Sequence, residues 1–203
     1  MRHRFAYILL ISTFIGLLCA LKLYLEDSKD WSTHGPPHGT VLGEFEGVII
    51  YASGDHDEHG PYGIKYQCTE FINRFYVERL RHPNMTQTGH ADSYFWNASE
   101  KGLVAFPNGS ETPPQKFDIL VFDRTNIDGH PGHAAIISKV DLFENRIEVV
   151  QQNSVARRLD GLLKQVIPKE SFLIEKNGDD KWFIHTPENR LPIVGWSRPK
   201  SSP

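Results

Sequence analysis

The sequence predicts an α+β domain, one helix packed on an antiparallel sheet, and three observations predict it. A single strong helical stripe, Phe71, Ile72, Phe75, Tyr76 and Leu80, lies in the first half of the chain. Three closely spaced strand candidates follow it, at 117–123, 133–140 and 146–152, with shorter ones beyond. The 203 residues, 39% hydrophobic and 11% aromatic, suffice for one domain with a full core.

The elements follow in order. Residues 5–21 are almost wholly apolar, and Arg2, His3 and Arg4 precede them. A basic cap on an apolar run reads as a signal anchor or signal peptide over residues 1–25. Leu18 is too large for a good cleavage site at Ala20 and for a lipoprotein site at Cys19, so an uncleaved anchor is expected. The positive-inside rule then puts the domain on the non-cytoplasmic side, membrane-anchored or exported. Residues 26–38, with Gly35-Pro36-Pro37, read as a linker, and the domain is expected over 39–198. Val48–Tyr51 is a strand candidate, and 53–62 is a loop rich in Gly, Asp and His. The helix is expected over 67–81, stopped by Pro83, with Glu70, Asn73, Arg74 and Glu78 on its wetter side. A short helix around 93–101 and turns at Pro107-Asn108-Gly109 and Pro113-Pro114 come next. Residues 172–174, 182–184 and 193–194 are the last strand candidates.

Charge and cysteine usage exclude several classes. The net charge of −3 gives no case for nucleic acid. Residues 1–25 carry three of the 22 basic residues and none of the 25 acidic ones, which leaves the remainder at −6. That mildly acidic exterior suits a cationic partner or is simply a solvated surface. Two cysteines, Cys19 and Cys68, exclude a disulfide scaffold and a cysteine-rich zinc site.

Cys68 is the only cysteine outside the N-terminal segment, and it opens the helix on its buried stripe. A helix N-terminus favours the thiolate, and its unpaired N–H groups suit an oxyanion. From position alone, a nucleophile and an inert buried thiol both fit. A nucleophile needs a base, and His133 begins the strand Gly132-His133-Ala134-Ala135-Ile136-Ile137. Folding the hairpin back around residue 143 places His133 opposite residue 153 and diagonal to 151. Gln151 and Asn153 are therefore both candidates to orient the imidazole.

These residues lie in segments that resemble a known family. Gly63-Ile64-Lys65-Tyr66-Gln67-Cys68-Thr69-Glu70-Phe71 resembles the nucleophile motif of the cysteine, histidine-dependent amidohydrolase/peptidase (CHAP) family, nearest in pattern to its glutathionylspermidine-amidase members. Further likenesses follow in order from Gly39-Thr40-Val41-Leu42-Gly43, through Ala105-Phe106-Pro107-Asn108-Gly109-Ser110 and the His133 strand, to Val194-Gly195-Trp196. The resemblance implies a papain-like (CHAP/NlpC-P60-like) fold and amide hydrolysis through a thioester acyl-enzyme. It implies Cys68 as nucleophile, His133 as general base and acid, and Gln67 and Arg74 as binding residues. No cofactor is implied, and the oligomeric state is left open. The pattern departs from those members at two places. Their third catalytic residue is Glu where this chain has Gln151, with Asn153 as the alternative orienter. Their two arginines early in the nucleophile helix are Asn73-Arg74 here, and a lost arginine leaves the amide substrate open. The candidates are a glutathionylspermidine-like amide and peptidoglycan, and an inactive amide-binding domain is the third reading.

Other groups point elsewhere or nowhere. Asp55-His56-Asp57-Glu58-His59 is rich in ligand types but fits no complete metal site, so no metal is expected and a lid is the alternative. His130 is expected on an exposed loop, and the family resemblance implies that Asp118 fixes backbone. Asn84, Asn97 and Asn108 each open a glycosylation triplet.

Overall fold

The computed structural model describes residues 36–54, 57–83, 85, 89–123, 131–157, 164–187 and 191–200. The expected anchor, most of the linker, Asp55, His56, Asn84 and His130 lie outside the described residues. No helix among the described residues is long and apolar enough to cross a membrane. The chain divides into two compact units, residues 37–155 with 166–203, and residues 1–36 with 156–165.

The larger unit starts with a hairpin, β1 (Val41–Phe45) and β2 (Val48–Tyr51), where the sequence pattern offered one strand. Glu46 and Gly47 form its turn, and both have positive φ (51° and 85°), the twist a two-residue hairpin turn needs. A two-residue pair, β3 (His59–Gly60) and β4 (Gly63–Ile64), leads into the main helix.

Helix α1 runs Cys68–Glu78. Its apolar stripe is where periodicity puts it, with Phe71, Ile72, Phe75 and Tyr76 wholly buried. It ends short of residue 81. Arg81 takes a left-handed φ of 56°, and the His82 N–H reaches back to the Tyr76 carbonyl, so backbone bonds close the helix before Pro83. The other side of α1 is not wet at its N-terminal half. Glu70, Asn73 and Arg74 are all buried, because β2, Tyr62 and the end of a later strand cover that side. The expected short helix is split into α2 (Ser93–Trp96) and a 3₁₀ turn, Ala98–Lys101.

The sheet contains the other strands of this unit. They are β5 (Leu103–Pro107), β6 (Ile119–Phe122), β7 (His133–Asp141), β8 (Arg146–Val150), β11 (Lys169–Lys176), β12 (Trp182–Ile184) and β13 (Ile193–Pro199). Between β8 and β11, β9 (Val155–Arg157) and β10 (Lys164–Val166) form a separate pair. The seven strands are ordered β12-β11-β8-β7-β6-β13-β5, every neighbouring pair antiparallel. Few helices on a curled antiparallel sheet are compatible with the papain-like expectation.

Alternation sorts the strands onto two cores. Ile119, Val121, Ala134, Ile136 and Val150 face α1, together with Cys68, Phe71 and Phe75. Leu120, Phe122, Ala135, Ile137, Ile147, Val149, Phe172 and Trp196 build the core on the other face. A fully buried side chain of this size stabilises the fold by about 1.5–3 kcal/mol, so a sheet lined on both faces holds its strand ends rigidly. The site is built on those ends.

Candidate active site

Cys68 is the first residue of α1, and Gln67 caps the helix with its backbone rather than its side chain. The thiol is buried at 8% exposure and is a free cysteine. Burial pushes the thiol up, but the His133 imidazole beside it and the backbone N–H groups of Ala134 and Thr69 outweigh burial. The net result holds Cys68 below the ordinary thiol range.

His133 starts β7, opposite Phe122 on β6, and its ring packs on the Phe122 ring at 5.7 Å between centroids. Gly132 ahead of it has φ 67°, and a Cβ there would lie 2.8 Å from the Phe122 carbonyl oxygen. Only glycine fits that approach, and it fixes where β7 begins. His133 Nε2 lies 2.9 Å from Gln151 Oε1. An amide oxygen only accepts, so Nε2 carries the hydrogen and Nδ1 is the ring nitrogen left to exchange a proton with the thiol.

Gln151 is 1% exposed. Its N–H donates to the Pro168 carbonyl at 3.0 Å, and its Nε2 donates to Glu170 Oε2 at 3.0 Å. Asn153 does not share Gln151's direction as strand alternation suggests. β8 stops at Val150, and Asn153 takes a left-handed φ of 56°, which turns its amide to donate to Gln67 Oε1.

Gln152, between them, was missed by sequence reasoning and has a site of its own. It faces α1, and its Oε1 accepts from the Tyr51 N–H (2.9 Å) and Arg74 (3.4 Å). Its Nε2 donates to Glu70 Oε2 (2.8 Å) and the Gln67 carbonyl (3.1 Å). Adjacent residues on an extended strand point to opposite faces, and that alternation is the available sequence signal.

Arg74, expected as a binding residue, is turned inward. Its Nε and Nη2 meet the two Glu70 oxygens at 2.7 and 3.3 Å, and its Nη1 donates to the Ile49 carbonyl at 2.8 Å. Its guanidinium lies 5.3 Å from the Tyr51 ring centroid. Glu70, expected on the wetter side of the helix, is 4% exposed and pairs in the interior. Asn73 donates to the Tyr62 carbonyl (2.9 Å) and accepts from the Tyr94 hydroxyl (2.7 Å), so it too ties the helix to its surroundings.

The remaining candidates lie apart from this group. Asp118 accepts from the Gln115 N–H (2.8 Å) and Arg198 (2.7 Å), a backbone-fixing role. Asn108 is held by the Ile184 and Ile193 backbone, so its glycosylation triplet is closed in the folded chain. Among the described residues, no group of three His, Cys, Asp or Glu side chains could hold a metal.

Comparison with known proteins agrees with the sequence resemblance. The CHAP domain family model matches residues 57–153, which include Cys68, His133 and Gln151. The bifunctional glutathionylspermidine synthetase/amidases of Escherichia coli (strain K12) and Shigella flexneri are each 26% identical to this chain. The match covers 82% of this chain and 32% of each relative, so the chain spans about a third of the length of the curated relatives it matches.

Proposed function

We propose, from the CHAP-domain match over residues 57–153, that the chain is a hydrolase of amide bonds in which Cys68 is the nucleophile and His133 the base. The observation that carries this reading is the Cys68 thiol at the head of a buried helix, held below the ordinary thiol range beside an imidazole whose far nitrogen is tied to Gln151. His133 Nδ1 takes the thiol proton, and Sγ attacks the amide carbonyl carbon. The developing oxyanion is met by N–H groups at the start of α1, which the Gln67 side chain does not cap. The tetrahedral species collapses, the imidazolium protonates the departing amine, and a thioester remains on Cys68. Water, deprotonated by the same imidazole, releases the acid and restores the thiol.

The substrate we favour is a glutathionylspermidine-like amide. The named activity of the two relatives supports it, as does the −6 charge of the chain outside residues 1–25, which suits a polyamine leaving group. A second reading, a peptidoglycan amidase or endopeptidase, is favoured by the basic-capped apolar segment at 5–21, which would tether the domain on the non-cytoplasmic side.

Hydrolysis of glutathionylspermidine and of purified peptidoglycan by the full chain, each against Cys68→Ala, tests both. Spermidine release that needs Cys68 supports the first reading, and release of wall peptides supports the second. Activity in neither, with no labelling of Cys68 by a thiol-reactive amide probe, would sink the enzyme reading and leave an amide-binding domain.

A further inference from the structure

We infer that Glu170 is a positioning residue for the Cys68–His133 pair, acting through Gln151. The inference rests on the reading of Cys68 and His133 as nucleophile and base.

A glutamine side chain has two ends of opposite character, an accepting oxygen and a donating NH₂, which occupy nearly the same space. Only the oxygen end serves here. With Oε1 forward, His133 carries its hydrogen on Nε2 and offers Nδ1 to the thiol. With the amide reversed, NH₂ would face the ring, Nε2 would have to accept, and the hydrogen would move to Nδ1, where it blocks proton uptake from Cys68. Nothing in Gln151 itself selects between the two. Glu170 does, because an ionised carboxylate can only accept and so meets only the NH₂ end, at 3.0 Å.

The sheet places Glu170 for this task. It pairs with Val149 on β8, so Gln151 lies one diagonal step away on the same face, within reach of two long side chains. Along β11 that face continues with Phe172 and Ile174, both buried in the far core. A carboxylate in the first position of an otherwise apolar inward row is out of pattern, and its Oε2 accepts from the Gln151 amide. Glu170 also puts a negative charge one amide behind His133. The ion pair that a neutral third residue cannot stabilise directly then gains a carboxylate at one remove.

The test reads thiolate formation at Cys68, without needing a substrate. The full chain is treated with iodoacetamide across pH 5–10, and modification of the Cys68 peptide is followed by mass spectrometry, which separates it from Cys19. Wild type, Glu170→Ala, Glu170→Gln and the exchange Gln151→Glu/Glu170→Gln are compared, each checked for folding by circular dichroism. We expect both single variants to raise the alkylation midpoint by about 0.5–1 pH unit. That slows modification on the acidic side of the midpoint by roughly three- to tenfold. The exchange variant puts the carboxylate directly on His133 with an amide behind it, and it should return the midpoint to the wild-type value or below.

A wild-type midpoint that is low and unchanged in both folded single variants would overturn the role of Glu170 alone. Failure of the folded exchange variant to recover would overturn it as well, because a merely structural contact would not respond to swapping the two groups. A wild-type midpoint at the ordinary thiol value of about 8.5 would overturn the reading of Cys68 and His133, and the inference with it.

Discussion

Replacing Arg74 with methionine removes a guanidinium that holds both oxygens of Glu70 and the Ile49 carbonyl, and that contacts Gln152 and the Tyr51 ring. Methionine keeps most of the apolar stem, so lost packing is a small part of the cost. The larger part is the Glu70 carboxylate, left with its side chain 5% exposed and, among the described residues, the Gln152 amide to meet it. Breaking a buried pair by removing one partner costs about 3–5 kcal/mol. In a domain of this size each kcal/mol lowers Tm by about 2–4 °C, so Arg74→Met should lose about 10 °C. Glu70→Gln/Arg74→Met removes the stranded charge, and it should be more stable than Arg74→Met alone by about 1–2 kcal/mol. Urea unfolding followed by circular dichroism, with the thermal melt beside it, measures all of these. A loss below about 1 kcal/mol for Arg74→Met, the range of exposed pairs, would refute the argument. So would a stable Arg74→Met protein whose KM alone had risen, since that would return Arg74 to the substrate.

Other expectations concern the site and its support. His133→Ala removes the largest pull lowering the thiol while burial still pushes it up, so the Cys68 alkylation midpoint should rise above that of the wild type. Gly132→Ala meets a carbonyl oxygen at 2.8 Å in a left-handed backbone, and it should cost about 1–3 kcal/mol and lower kcat by displacing the start of β7. Burial raises Asp118 from 3.8 to about 6 against the pull of Arg198. The native state therefore binds more protons than the unfolded chain between those values. The contribution of Asp118 to stability should fall as pH rises from about 4 to 6, by at most about 3 kcal/mol, and level off above. Urea midpoints across that range check it, and Asp118→Asn should flatten the slope.

What was legible in the sequence was what repeats with a fixed period. The α1 stripe and the start of β7 follow from spacing alone. The pairing of His133 with residue 153 and its diagonal to 151 came from a fold-back at residue 143. The ladder near the turn is in fact offset from that centre, with Asp141 opposite Arg146. A bulge between Ile137 and Lys139 removes the offset, and Ile136 meets Val150 in the register the arithmetic assumed. Gln151 was therefore reached because two irregularities cancel. Asn153 was not separable from it, since a left-handed backbone at a strand end leaves no periodic trace. Glu70, Asn73 and Arg74 read as part of a wet helix face. Charged residues four apart are ordinarily solvated, and what covers them comes from the distant β2 backbone and Gln152. Strand β1 holds a glycine and one glutamate, Gly43 and Glu44, with Glu46 in the turn behind it, a weak strand pattern. It was visible only once its partner was in place.

Gln151 and Gln152 are consecutive, yet one holds the imidazole and the other holds the helix that carries the thiol. The sulfur-to-ring geometry is thus set by a single peptide unit at the end of β8 that acts like a rivet through the sheet. Any motion that lifts α1 off the strands must break the Gln152 bonds, and through the shared backbone it disturbs the imidazole as well. Loosening of the helix and loss of the reactive thiolate should therefore occur as one event on heating, with reactivity fading at the temperature where the tertiary fold gives way. For anyone redesigning the site, this dipeptide couples two properties usually tuned apart. A change that shifts the helix against the sheet alters the nucleophile in the same step.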